Sequence, residues 1–364
     1  MSISPVSCQL CISHDYCNDH RDDMLFGCFD SCAGRCDKEK CTLTCPFNEP
    51  EYSFRIEEVN GTKPLKGVVP RFAEEDIPPL HLPMIYGHTA RKTLLDTPWV
   101  AVPFHRLFRE IGGKKLEPVV SSPTELRANF CLAPKTRIVA ISAGYDRDLE
   151  RMWEYHRVVD MAAALKSMGV TLATALNFSF WVLAPRMHNE WNYRRMALFT
   201  LRMWEGGFPT VPHIYAETDA DWLNRAAFFI DHPQLDSFAF EFQTADAVHA
   251  QSPRLRQQME MFMNKVGRPL RIIASGGGVA ANWITQLFSG ITIVESNSYM
   301  RAIKRRPLFL NPQGKIKAGA MLPVKVVDDL LHDNICTTEN ALKIKCAMAR
   351  GQTEKTEKAA AQGQ

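Results

Sequence analysis

The stretch from Thr171 to Asp219 reads TLATALNFSF, then WVLAPRMHNEWNYRRMALFTLRMWEGG, then FPTVPHIYAETD. An apolar run of strand length comes first, a segment with helical periodicity ends at Gly206-Gly207, and a second apolar run follows. This order predicts a β-α-β unit, and such units build parallel sheets. In parallel α/β folds the chemistry collects beyond the carboxyl ends of the strands. We therefore look for functional side chains at those ends.

The same alternation of strand-like and helical segments extends over most of the chain. Apolar runs of strand length occur at 81–87, 98–103, 137–143, 171–177, 210–216, 237–243, 271–276 and 291–297, and helical patterns at 147–168, 188–205, 219–231, 253–266 and 279–288. Eight strands with interleaved helices predict a (β/α)8 TIM-like barrel over residues 79–323, irregular near its first strand pair. A doubly wound open sheet is the alternative.

The segments outside the predicted barrel differ in composition. Residues 1–46 are rich in cysteine, and residues 47–78 are polar and rich in proline and charge, which predicts a linker or a covering segment. Residues 324–349 have a helical pattern that could pack on the barrel. Residues 350–364 have no apolar pattern and are predicted to form a disordered tail.

Composition limits the class of protein. With 364 residues, 46% of them apolar and 23% charged, the chain can bury a full hydrophobic core. A net charge of +3 is too small to indicate nucleic-acid binding by itself and does not oppose it. The sequence has no apolar run long enough for a membrane span and no signal-peptide core at its N-terminus, so we expect a cytoplasmic protein with no membrane partner.

The cysteine-rich segment predicts a metal-binding module. Without a secretory signal, so many thiols in a short segment favour metal ligation over disulfides, and the bound metal would supply the folding free energy that a small core lacks. Two tetrahedral zinc sites are the first prediction and an iron–sulfur cluster is the alternative. The candidate ligands are Cys8, Cys11, Cys17, His20, Cys28, Cys32, Cys36, Cys41 and Cys45.

The predicted strand ends carry many carboxylates and histidines. Such groups suit general acid–base or nucleophilic catalysis, although each of them could also be a satisfied polar group at a strand end. The catalytic candidates are Glu295, Asp146, Glu241, His213, Glu217 and His88. The candidates for contacts to a substrate are Asn177, Ser179 and Gln243.

Two further patterns suggest phosphate contacts. A glycine run follows the seventh predicted strand and opens a helix at Val279; backbone amides there could hold a phosphate, and a plain tight turn is the alternative. Arginines near tryptophan and tyrosine could contact a polynucleotide backbone, and a solvated helix face is the alternative. The residues concerned are Ser275, Gly276, Gly277, Gly278, Arg194, Arg195, Arg301 and Arg305.

Two resemblances bear on function. The block NFSFW…PRMHNEWNYRR…GGFPTVPHIY resembles the core pattern of an uncharacterised family of mobile-element and phage proteins, over roughly residues 137–245. More distantly, residues 81–306 resemble the queuine tRNA-ribosyltransferase superfamily, especially its branch that inserts 7-deazaguanines into DNA. Tyr86-Gly87-His88 and Val102–Arg106 look like that family's first two strand ends, and Val294–Ser298 looks like its last.

The second resemblance implies a barrel that exchanges a base through an aspartate nucleophile. The family's Asp-Ser-Gly-Gly-Phe element would fall at Ile141–Tyr145, where the leading aspartate is absent. The family's zinc ligands follow its barrel, whereas the cysteine cluster here precedes it.

These observations predict an enzyme that modifies a base in DNA or RNA, by base exchange or glycosidic-bond chemistry, in a mobile-element or phage context. The base would enter the barrel mouth flipped out of its stack. Glu295 would be the nucleophile or the cation stabiliser, with Asp146 and Glu241 as alternatives. Other interpretations are a non-catalytic nucleic-acid-binding or defence-associated protein, and an iron–sulfur enzyme that uses the N-terminal cluster.

Overall fold

The structure, a computed structural model, describes residues 55–59, 65–70, 72, 74–87, 91–112, 115–180, 186–242, 252–323 and 327–362. Several predicted functional residues lie outside these ranges. They are the metal-ligand candidates Cys8, Cys11, Cys17, His20, Cys28, Cys32, Cys36, Cys41 and Cys45, together with His88 and Gln243.

The described chain is an α/β fold with two parallel sheets, which confirms the predicted class. Each sheet has four strands, in the orders β1-β10-β9-β8 and β2-β5-β6-β7. All eight predicted strands are present, most of them shorter than predicted. They are β1 (His81–Pro83), β2 (Trp99–Pro103), β5 (Arg137–Ile141), β6 (Leu172–Thr174), β7 (Thr210–Val211), β8 (Ser237–Glu241), β9 (Arg271–Ser275) and β10 (Gly290–Glu295).

The two sheets touch at both pairs of edge strands. Beside β1 and β2, Met84 and Ala101 form a parallel bridge, and the Ile85 amide donates to the Ala101 carbonyl at 2.8 Å. Beside β7 and β8, His213 and Ala239 form a second parallel bridge. There the Ile214 amide donates to the Ala239 carbonyl at 3.1 Å.

All eight parallel strands contribute to one central apolar cluster. Since side chains alternate along a strand, each strand also packs its opposite face against helices. In β8, for example, Ala239 belongs to the central cluster, whereas Phe238 and Phe240 belong to an outer one. The central cluster consists of Leu82, Met84, Trp99, Ala101, Val139, Ile141, Leu172, Val211, Ala239, Ile273 and Val294.

Local signals explain where the helices begin and end. A capping box starts one helix, because the Thr218 hydroxyl accepts from the Asp221 amide and the Asp221 carboxylate accepts from the Thr218 amide. Gly207 (φ 65°) and Gly267 (φ 71°) follow two others in the left-handed conformation that suits a helix end. The helices are α1 (Pro123–Phe130), α2 (Asp146–Tyr155), α3 (Met161–Ser167), α4 (Arg186–Glu205), α5 (Asp219–Asp231), α6 (Pro253–Val266), α7 (Ala281–Leu287), α8 (Asn297–Ile303) and α9 (Val327–Gln362).

The structure corrects three predictions about helices. The pattern over 147–168 is two helices, because Asp160 accepts from the Ala163 amide at 2.9 Å and so caps α3 separately. The helix after the glycine run begins at Ala281, later than Val279. The predicted disordered tail continues α9 to Gln362, since its glutamates, lysines, glutamines and alanines all favour helix.

Short elements without a clear periodic signal complete the fold. Two antiparallel hairpins occur, and the second leads into α9. They are β3 (Phe108–Ile111) with β4 (Lys115–Pro118), and β11 (Leu308–Leu310) with β12 (Ile316–Ala318).

The described part of the predicted linker or covering segment packs on the fold. Val69 is buried in an outer cluster, and Phe72 packs against the central one. The Glu58 carboxylate accepts from the Trp153 indole at 2.7 Å. These contacts favour a covering segment over a free linker. Among the described helices, none is both long and apolar enough to span a membrane.

Candidate active site at the carboxyl ends of the strands

Four neighbouring strands place a polar side chain on the inner face, at their carboxyl ends. Thr174 lies beside Val211, His213 beside Ala239, and Glu241 beside Ser275 in the parallel register. Val211 and Ala239 belong to the central cluster, so the alternation of strand side chains directs the four polar residues inward as well. They are all at least nine-tenths buried: Thr174, His213, Glu241 and Ser275.

The other four strands carry apolar inward residues near their carboxyl ends. Their inward residues are Met84, Pro103, Ile141 and Val294, and all four are buried. The inner face of the strands is therefore polar on one side and apolar on the other. This arrangement suits a ring-shaped ligand, since the polar side can hydrogen-bond to ring substituents while the apolar side contacts the ring face.

His213 is the most isolated polar group of this layer. Its side chain is 2% exposed, and neither ring nitrogen has a hydrogen-bond partner among the described residues. Burial lowers the pKa of His213 to about 3. The imidazole is therefore neutral at physiological pH, with one N–H donor and one acceptor nitrogen.

Glu241 brings a carboxylate to the inner face at the end of β8. The residue is 8% exposed, and Ser275 lies beside it on β9 in the parallel register. Burying a carboxylate is costly and is usually associated with a specific role. Among the predicted catalytic carboxylates, Glu241 is thus one that the strand register directs toward the same face as the central cluster.

Asp146 follows strand β5, and Ser179, a predicted substrate-binding residue, holds it in place. As the first residue of α2, it accepts from the Ser179 amide at 3.1 Å and from the Ser179 hydroxyl at 2.9 Å. Burial raises the pKa of Asp146, although the two bonds from Ser179 oppose this. Ser179 therefore positions Asp146, while Asn177 is half-buried two residues earlier.

Glu217 lies at the end of β7 and contacts a helix. Its carboxylate accepts from the Asn189 side-chain amide at 2.9 Å. Next to it, Arg225 forms an ion pair with Glu190, and the Arg225 Nε donates to the Tyr215 carbonyl at 3.1 Å. Glu217 is thus part of the contact between α4 and the loop before α5.

Further aromatic side chains lie near these strand ends. Phe180 and Tyr215 stand with ring centroids 4.7 Å apart. Tyr145 is 80% exposed directly before Asp146. His105 follows β2, and burial lowers its pKa. The sequence pattern places Tyr215 and His105 at strand ends, whereas Phe180 and Tyr145 were not singled out from it.

Glu295, predicted as the nucleophile, faces away from the central cluster. Its strand neighbour Val294 points inward, so Glu295 points to the helical layer on the same face as His81. Its two oxygens accept from the His81 ring at 2.9 Å and from the Ser298 amide at 2.9 Å. Burial alone would raise the pKa of Glu295, but these partners lower it.

The glycine run forms a turn in which backbone conformation and close packing both favour glycine. Gly276 has φ 68°, a left-handed conformation that favours glycine. A Cβ on Gly277 would lie 2.5 Å from the Ala274 Cβ. The Gly278 carbonyl accepts from the Lys345 ammonium. The helix begins only at Ala281, so the turn is not itself a helix N-terminus that could bind phosphate.

The predicted basic residues have protein partners. Arg195 is 1% exposed, donates to Glu150 at 2.6 and 2.8 Å, and lies between the rings of Phe178 and Trp191. Arg194 donates to the Val59 carbonyl at 3.3 Å.

The other two arginines lie at the far end of α8 and beyond. Arg301 donates to the Asn297 side chain at 3.1 Å, and Arg305 donates to the Pro323 carbonyl. Because a helix after a parallel strand runs back along the sheet, this end points away from the carboxyl ends of the strands. Arg301 and Arg305 are therefore directed away from the candidate site, whereas the Arg195 charge acts on Asp146 and lowers its pKa.

Within the described ranges, no group of three or more histidine, cysteine or acidic residues could hold a metal ion. Comparisons of the chain with protein-family models, with curated proteins and with solved structures found no match.

Proposed function

We propose that the eight parallel strands form one closed (β/α)8 barrel. Two observations support this. The edge strands of the two sheets are bridged on both sides, by Met84 with Ala101 and by His213 with Ala239. Every strand also supplies at least one residue to a single central cluster, as the interior of a barrel requires.

We further propose that the barrel is an enzyme acting on the glycosidic bond of a nucleobase. The observation that carries this proposal is the carboxylate of Glu241, buried on the inner face at the carboxyl end of its strand and set within a polar half-layer. In barrel enzymes the catalytic groups occupy these ends. The alternation of polar and apolar halves suits a planar base.

We assign the two carboxyl roles of glycosidic-bond cleavage to Glu241 and Asp146. Glu241 is assigned as the group that attacks or stabilises the cation at the sugar carbon. Asp146 is assigned as the acid that protonates the leaving base, since burial raises its pKa and Ser179 holds its carboxyl group in place. In a base exchange, the incoming base would then replace the leaving one at the same sugar carbon.

The substrate and module assignments come from the sequence. The resemblance to the queuine tRNA-ribosyltransferase superfamily suggests a base in DNA or RNA, in a mobile-element or phage context. We propose that the cysteine-rich segment binds two zinc ions and braces the barrel or grips the polynucleotide. Elemental analysis of the full-length chain purified without oxygen distinguishes zinc from an iron–sulfur cluster.

The experiment is release of free base from bulk tRNA, single-stranded DNA and double-stranded DNA, with and without an added free purine base as the incoming group of an exchange, measured by mass spectrometry with the full-length chain. Glu241→Gln keeps the shape of the side chain and removes its charge. We expect it to lower the rate of release by at least about 100-fold, as for loss of an acid–base or nucleophilic group.

Glu260→Gln is the matched control. Glu260 lies on the exposed face of α6, where it pairs with Arg256, so this variant should keep the wild-type rate. A Glu241→Gln variant as active as the wild type would contradict the assignment. Absence of base release by the wild type from all three substrates would contradict the function.

A further inference from the structure

Two buried histidines of this chain differ in whether their ring nitrogens have hydrogen-bond partners. His232 is 3% exposed; its Nδ1 donates to the Phe228 carbonyl at 2.8 Å, and its Nε2 accepts from the Gly67 amide at 3.3 Å. A neutral imidazole satisfies both contacts, so this ring holds two backbone segments together. His213 is 2% exposed, and neither of its nitrogens has a partner among the described residues.

The lack of hydrogen-bond partners at the His213 ring destabilises the folded state. Buried polar atoms in native proteins are nearly always hydrogen-bonded, and leaving them without a partner is destabilising. Destabilising features of this kind are expected at functional sites, where a bound ligand supplies the missing hydrogen-bond partner. The position of His213 fits this explanation, because it lies on the inner face between Val211 and the mouth, bridged to Ala239.

We propose that His213 is a binding residue for an uncharged planar heterocycle, which hydrogen-bonds to the imidazole and rests against the apolar half of the inner face. The inference rests on the proposed function, since the heterocycle is the base of that substrate. It changes the role predicted from the sequence, because His213 recognises the base and does not transfer its proton.

The chemistry of the surrounding groups selects this ligand class. Burial lowers the pKa of His213 to about 3, so the ring offers one donor and one acceptor throughout the physiological range. Thr174 and Ser275 add hydroxyl groups on the polar side, and Met84 and Ile141 supply apolar contacts opposite. A ligand edge with both an acceptor and a donor matches this set, as the edges of nucleobases do.

The first measurement is the melting temperature of the ligand-free protein. His213→Leu replaces the unpartnered ring by an apolar side chain and should raise the melting temperature by about 2–4 °C. His232→Leu is the matched control and should lower it, because it leaves the Gly67 amide and the Phe228 carbonyl without a partner. A lower melting temperature for His213→Leu would overturn the proposal.

The second measurement is calorimetric binding of free adenine, guanine, cytosine and uracil. We expect the wild type to bind at least one of them, and His213→Leu to weaken that binding by at least about 10-fold. His213→Gln keeps one donor and one acceptor and should recover part of the affinity. No binding of any base by the wild type, or equal binding by His213→Leu, would overturn the proposal.

The experiments distinguish failure of the binding role of His213 from failure of the glycosidic activity. Base binding that depends on His213, without release of base from tRNA or DNA, would support the binding role and contradict the glycosidic activity. Base release that depends on Glu241 but is unchanged in His213→Leu would support the activity and contradict the binding role.

Discussion

At the scale of single residues, Asp146 and Ser179 show how groups that follow two different strands together affect the pKa of one carboxyl group. Ser179 follows β6, whereas Asp146 opens the helix after β5, and their two hydrogen bonds join the loops. Burial raises the pKa of Asp146, and the bonds from Ser179 lower it again in part. The carboxyl group therefore responds to a change at a residue 33 positions away.

Ser179→Ala should raise the pKa of Asp146 further. The substitution removes the hydroxyl donor, which favours the charged carboxylate, and leaves burial unchanged. Carbon-13 NMR titration of the Asp146 carboxyl group measures the shift. Ser167→Ala, on the exposed end of α3, is the control, and an unchanged or lowered pKa in Ser179→Ala would contradict the coupling.

At the scale of elements, one fully buried polar side chain of α9 bonds to three backbone groups. Asn334 donates to the Ser298 carbonyl at 3.2 Å and to the Arg306 carbonyl at 3.2 Å, and it accepts from the Leu308 amide at 2.6 Å. These partners lie in α8, after α8 and in β11. A single amide therefore joins α9 to α8, to the segment after it and to the start of a hairpin.

Asn334→Ala should destabilise the protein by about 2–4 kcal/mol, since it leaves up to three buried backbone groups without a partner. The free energy of unfolding in urea measures the effect. Asn224 lies exposed on α5, and Asn224→Ala is expected to stay within about 0.5 kcal/mol of the wild type. Equal stability of the two variants would contradict a stabilising role for the hydrogen bonds of Asn334.

At the scale of the whole molecule, the buried acidic groups give stability a defined dependence on pH. The pKa of Glu295 is lowered by His81 and Ser298 despite burial, and that of Asp328 by the Lys92 and Thr93 amides. A group with a lowered folded-state pKa stabilises the protein above its unfolded pKa. That contribution is lost as the pH falls through the folded pKa.

We therefore expect the free energy of unfolding to decrease as the pH falls below about 4.5, the ordinary range of glutamate and aspartate. Glu295→Gln should be less stable than the wild type by about 1–3 kcal/mol at pH 7. The difference should shrink as the pH falls below the ordinary glutamate range and through the lowered folded-state pKa of Glu295, because the wild-type carboxylate then becomes protonated. Urea denaturation at a series of pH values provides the measurement, with Glu205→Gln on the exposed end of α4 as control. A difference that is constant with pH would contradict the role of the charge.

The sequence predicted the strands and most helices because their signals are local. Apolar runs of strand length and the caps at Thr218 and Gly267 depend on neighbouring residues alone, and α5 and α6 have the predicted bounds. The break between α2 and α3 was not predicted, because the apolar stripe continues across it. The hairpins and α8 were not predicted either, since elements of three to seven residues show little periodicity.

The candidate site was predicted only in part, because the direction of a side chain depends on strand register. Glu241 and Glu295 both end apolar strands and look equivalent in the sequence. Only the pairing of the strands shows that Glu241 faces inward and Glu295 outward, since a shift of one residue reverses the face.

The sequence by itself determined the α/β class, the eight strands, their order along the chain and the functional residue types at their ends, because these follow from local composition and periodicity. Tertiary structure alone decided which of these residues meet. It placed Arg195 against Glu150 and made it a structural residue, and it left His213 buried without a partner. Ion pairing and burial depend on residues distant in the chain, and no local pattern contains that information.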